Sequence, residues 1–140
     1  MPLPRGYLPV DGVTPDTREP CVFIVAQNKV DDLQRYGPST KFYDMALLPE
    51  TLREPCAIFK GLKREGLKDP YCYSRSPSRR MKDSRIELPP PPGFVFTVSV
   101  NKDHRGYVIL DWEMRRGDPD DSGHPLNWRT DFGEKLWPNP

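Results

Sequence analysis

The sequence predicts an α+β domain: short N-terminal helices, then a four-stranded, mainly antiparallel sheet, with extended proline-rich arms. Three observations predict it. Phe94, Phe96, Val98 and Val100 alternate with Val95, Thr97, Ser99 and Asn101, the period-2 pattern of a strand. Helix-like segments precede all but one of the strand-like ones, and no crossover helices separate the later strands, as parallel pairing would need. Many of the 18 prolines gather at positions 2–20, 89–92 and 119–140, where fixed φ angles favour extended chain.

Residues 1–20 read as an extended arm. Residues 21–26, Cys-Val-Phe-Ile-Val-Ala, form a short apolar run after Pro20. It is a buried strand or the lead-in to a helix, and β-branching favours the strand. Asn28 can cap a helix over 29–36, with acids at 31 and 32 in its first turn and Gly37-Pro38 as its stop. Residues 40–48 carry apolar side chains at 42, 45, 46 and 48, an approximate helical stripe. Residues 49–54 suggest a separate helix with Pro49 in first position. Four strands follow, at 56–60, 70–74, 94–100 and 107–112. A hairpin loop over 101–106 makes the last two antiparallel, and Pro89–Pro92 act as a stiff spacer. Trp128, Phe132 and Leu136 recur at helical spacing, which predicts a tail helix folded onto the body.

The 140 residues suit a single domain. Residues 1–20 would be the arm, 21–115 the core and 116–140 the packed tail. Cys21, Cys56 and Cys72 show no zinc-ligand spacing and read as reduced thiols, which suits the cytoplasm. The longest apolar run is too short to span a membrane. No cofactor or metal motif is present.

Charge is the main functional signal. Residues 60–85 hold nine Lys/Arg against three acids, while the rest of the chain is net acidic. Such a concentration points to a polyanionic partner, with RNA the expected one. Lys60, Arg64, Arg75, Arg79 and Arg80 lie in or beside it. Ser74 opens a Ser/Arg-rich run whose hydroxyls and guanidinium groups suit phosphate oxygens. Tyr71 and Tyr73 share a face of one strand and can stack on a base. His124, in a polar loop, is the better of two candidate general bases.

The segment 47–58, Leu-Leu-Pro-Glu-Thr-Leu-Arg-Glu-Pro-Cys-Ala-Ile, precedes Tyr71-Cys72-Tyr73 and the strand pair 94–100 with 107–112. That arrangement resembles the barnase–EndoU–colicin–RelE-like superfamily of small ribonuclease toxins, over about residues 40–115. The resemblance implies helices before a four-stranded antiparallel sheet, metal-independent RNA cleavage or binding, and a cognate inhibitor protein as a further partner. Under it Arg64, Arg75 and Arg79 stabilise charge on the phosphate, Lys60 positions substrate, Tyr73 stacks and His124 serves as base. No helix before the sheet supplies a histidine, which departs from the family pattern. The alternative is a non-enzymatic interaction module, phage- or plasmid-borne. A transferase using Glu113 is a third reading.

Overall fold

The computed structural model describes residues 3–36, 41–76 and 93–138. Seven strands form one mixed sheet. In chain order the elements are β1 (Tyr7–Val13), β2 (Pro20–Ala26), α1 (Gln27–Tyr36), α2 (Lys41–Arg53), β3 (Ala57–Lys60), β4 (Pro70–Arg75), β5 (Phe94–Asp103), β6 (Gly106–Arg116), α3 (Trp128–Asp131) and β7 (Lys135–Trp137). The spatial order is β1-β2-β6-β5-β4-β3-β7. The fold is therefore mainly β. This corrects the expected four-stranded sheet preceded by helices.

The expected arm fails at β1. It pairs antiparallel with β2 from Tyr7 opposite Ala26 to Val13 opposite Pro20. Leu8 and Val10 turn toward the core. Pro9 is tolerated because an edge strand needs only one of its two rows of hydrogen bonds. In turn β2 runs parallel to β6, with Phe23 beside Tyr107 and Val25 beside Ile109.

The two helices expected over 40–54 are one. Pro49 lies inside α2, where Leu47, Leu48, Thr51 and Leu52 are buried. Packing of that face outweighs the lost backbone hydrogen bond of an internal proline. The helix lies on β1, β4, β5 and β6. At Gly12 of β1 a Cβ would strike the Phe23 ring and come within 2.9 Å of Leu52, so the close approach requires glycine.

Strands β3, β4, β5 and β6 form an antiparallel meander. The expected pairing of 94–100 with 107–112 is present, and the hairpin is tighter than expected: only residues 104 and 105 separate the strands. Leu110 is an extra residue in β6, because Ser99 faces Asp111 while Val100 faces Ile109. Both faces of β5 are covered. Phe96, Val98 and Val100 are buried on the α2 side, and Val95 and Thr97 are buried on the other.

The tail helix stops early. Only Trp128–Asp131 is helical. Gly133 then donates its N–H to the Lys60 carbonyl, and Lys60 donates to Glu134. The chain continues as β7 beside β3, because the open edge of β3 supplies backbone partners that a longer helix would leave unmet. Trp128 and Phe132 pack on Phe59, each with ring centroids 5.4 Å apart. Leu136 and Trp137 join the main core. Pro89–Pro92 lie outside the described residues. Among the described residues no helix is long and apolar enough to cross a membrane.

Candidate nucleic-acid interface

Three connections meet at one end of the sheet. They are residues 14–19 after β1, 61–69 after β3 and 104–105 after β5. Their convergence follows from the topology: β1, β3 and β5 end where β2, β4 and β6 begin. The 61–69 loop is fastened to β5. Asp69 donates its N–H to Asn101 Oδ1 at 3.1 Å, and Lys102 donates its N–H to the Asp69 carbonyl at 3.0 Å. The tip is a tight turn in which Leu67 donates to the Arg64 carbonyl at 2.9 Å. Gly66 supplies the positive φ the turn needs, 84°.

Loop 14–19 is also compact. Thr14 and Glu19 join through backbone N–H and carbonyl, and Thr14 Oγ1 accepts from Glu19 N–H at 3.0 Å. Arg18 takes a left-handed conformation, φ 57°. Its guanidinium lies 3.7 Å over the Trp137 ring. β1 and β7 are opposite edges of the sheet, so this stack sets the loop after β1 against the far edge strand.

The expected site residues divide sharply. Lys60 is exposed at the end of β3, opposite Tyr71. Arg64 is exposed on the turn, with Lys63 and Lys68 exposed beside it. These side chains are open to solvent. Tyr73 is not: its ring is fully buried, and its hydroxyl donates to the Val13 carbonyl at 2.7 Å. Burial pushes its phenol well above the ordinary value. Ser74 is buried too and donates to the Gly123 carbonyl at 2.5 Å. Gly123 has no room for a side chain there, since a Cβ would strike Cys56.

Arg75 faces α2. It bonds the Glu54 carbonyl and lies 3.2 Å from the Glu50 carboxylate, so it is a structural cation. His124 is buried between Phe59 and Trp128. Its Nδ1 lies 3.0 Å from the Ser122 carbonyl, and its Nε2 lies 3.4 Å from Lys135 Nζ. An ammonium only donates, so Nε2 accepts and Nδ1 carries the proton. Both nitrogens are thus engaged within the fold. Glu113 lies 3.9 Å from Arg115, which also holds Asp131. Arg79 and Arg80 lie outside the described residues.

The sequence reading missed Tyr107 and Lys102. Lys102 is opposite Tyr107 across the hairpin, and its ammonium lies 5.3 Å over the Tyr107 ring. The signal for both was register: once the hairpin closes at 104–105, Lys102, Tyr107 and Tyr71 fall on one face. Among the described residues no group of three His, Cys, Asp or Glu is placed to hold a metal ion. Comparison with known protein families, curated proteins and solved structures found no match to this chain.

Proposed function

We propose that this chain binds RNA, holding its phosphates on the loop between β3 and β4. One observation carries the reading. Lys63, Arg64 and Lys68 stand exposed on one short loop and make no ion pair with a described residue. By contrast Arg75, Arg105, Arg115 and Arg129 are each paired with a carboxylate. A phosphate reaching the loop therefore breaks no ion pair among the described residues. Lys60 and Lys102 extend the same cationic end. Binding would release counterions condensed on the RNA, the main source of such affinity.

The reading favours binding over cleavage. Of the described residues expected to act in catalysis, His124 and Arg75 have structural partners, and Arg64 is exposed and makes no ion pair with a described residue. A cytoplasmic setting accords with it, since RNA is present there and the three cysteines are free thiols.

Fluorescence anisotropy with single-stranded RNA at low and moderate salt tests the proposal. Affinity should fall steeply with salt. Replacing Lys63, Arg64 and Lys68 together with alanine should flatten the slope by about 2, since each contact to a single strand contributes roughly 0.7. Absence of binding at low salt overturns the proposal.

A further inference from the structure

We infer that Tyr71 and Tyr107 form a recess for one unpaired nucleobase bearing an exocyclic amine, beside the phosphate-binding loop. The inference rests on the RNA reading above and adds what distinguishes RNA from any other polyanion.

The two rings stand side by side on one face of the sheet, with centroids 6.4 Å apart and planes at 60°. Phe23, beside Tyr107 on β2, packs against its ring at 5.2 Å between centroids. Both tyrosines are half-buried, so they are held in place yet retain an open side. Lys102 shows where Tyr107 opens: an exposed lysine lies over its ring, so that ring face borders solvent. A base stacking there would displace the Lys102 ammonium, which then lies free for the adjoining phosphate.

The rim of this recess differs from the loop. Asp69 faces the Tyr71 hydroxyl, and Asp16 lies within electrostatic reach of Tyr71, Tyr107 and Lys102. Burial first, then Asp69, pushes the Tyr71 phenol upward, so it remains a neutral donor. Two carboxylates beside two aromatic rings repel a phosphate. They accept hydrogen bonds from N–H groups instead. The chemistry therefore divides along the chain of the ligand. Phosphates go to Lys63, Arg64 and Lys68, and the base goes to the acidic, aromatic recess. Cytosine presents an amine where uracil presents a carbonyl, at the same ring size. The recess should prefer cytosine.

Anisotropy titrations with short oligocytidine, short oligouridine and heparin test this. Wild-type protein should bind all three, oligocytidine more tightly than oligouridine. The double substitution Tyr71→Leu with Tyr107→Leu keeps apolar bulk against Phe23. It should weaken oligocytidine binding about tenfold, the effect of losing one stacked base, and leave heparin unchanged. Tyr71→Phe with Tyr107→Phe should retain most of the affinity, and Asp69→Asn should narrow the gap between the two oligomers. Equal affinity for oligocytidine and oligouridine overturns the inference. So does an equal loss of heparin and RNA in the leucine variant, because the tyrosines would then act only through the fold. Failure of the wild type to bind heparin or either oligomer removes the RNA reading itself, whereas heparin binding without base preference removes this inference alone.

Discussion

Replacing Tyr73 with phenylalanine separates a structural tyrosine from a binding one. The ring is fully buried, and the only group removed is a hydroxyl 2.7 Å from the Val13 carbonyl. That bond joins β4 to the end of β1. A neutral hydrogen bond contributes about 1 kcal/mol net, and the carbonyl left behind sits in a partly buried place. For a chain of this length about 1 kcal/mol corresponds to a fall of roughly 3–5 °C in Tm. Calorimetry should record that fall, with RNA affinity at low salt unchanged. The reasoning fails if Tm is unaltered, because the hydroxyl would then be unbonded. It fails equally if Tm holds and RNA affinity drops about tenfold, because Tyr73 would then touch ligand.

The remaining predictions concern pH and the tail. Burial pushes the thiols of Cys21 and Cys72 up from 9.0 to about 11 and about 12, with Asp16 adding to the shift at Cys21. In the unfolded chain both ionise near 9.0, so their contribution to stability is whole below that pH and is lost as pH rises toward 12; chemical denaturation at pH 8 and pH 10.5 should show a lower midpoint at the higher pH. Deleting residues 126–140 removes Trp128 and Phe132 from Phe59 and takes β7 from the edge of β3. Half-buried side chains of this kind contribute about 1 kcal/mol or more each, so Tm should fall by roughly 10 °C, and an unchanged melt would mean that the tail does not pack.

Four strands were legible because each carries its own local signal: the alternation of β5, the Gly106 hairpin, and the apolar runs of β3 and β4. The strand at 21–26 was legible for the same reason, but its parallel neighbour was not. A β2–β6 pairing joins residues more than eighty positions apart, and no local pattern encodes it. β1 was hidden by composition. Its Pro9, Asp11 and Gly12 argue against a strand one by one, yet each suits an edge: Pro9 needs no second partner, and Gly12 admits Leu52. β7 was hidden by competition. Trp128, Phe132 and Leu136 fit a helix, but the unpaired edge of β3 draws 135–137 into extended pairing, which local spacing cannot reveal.

The site was legible to a similar degree, and for a related reason. Charge is a surface property, so the concentration of cations at 60–68 survived folding as a concentration of exposed cations. Roles that required orientation did not survive. Tyr71 and Tyr73 share one face and look equivalent in sequence. Tyr71 is half-buried, while Tyr73 is fully buried and gives its hydroxyl to the Val13 carbonyl. Ser74 and Arg75 likewise belong to a hydroxyl- and arginine-rich run, but strand pairing sends alternate residues to opposite faces. Ser74 goes under Gly123 and Arg75 under α2. Among the described residues, side chains left open to a phosphate are therefore those where the chain leaves the sheet. That is why the binding prediction rests on Lys63, Arg64 and Lys68 in the loop, and not on the residues of β4 that carry the same chemistry.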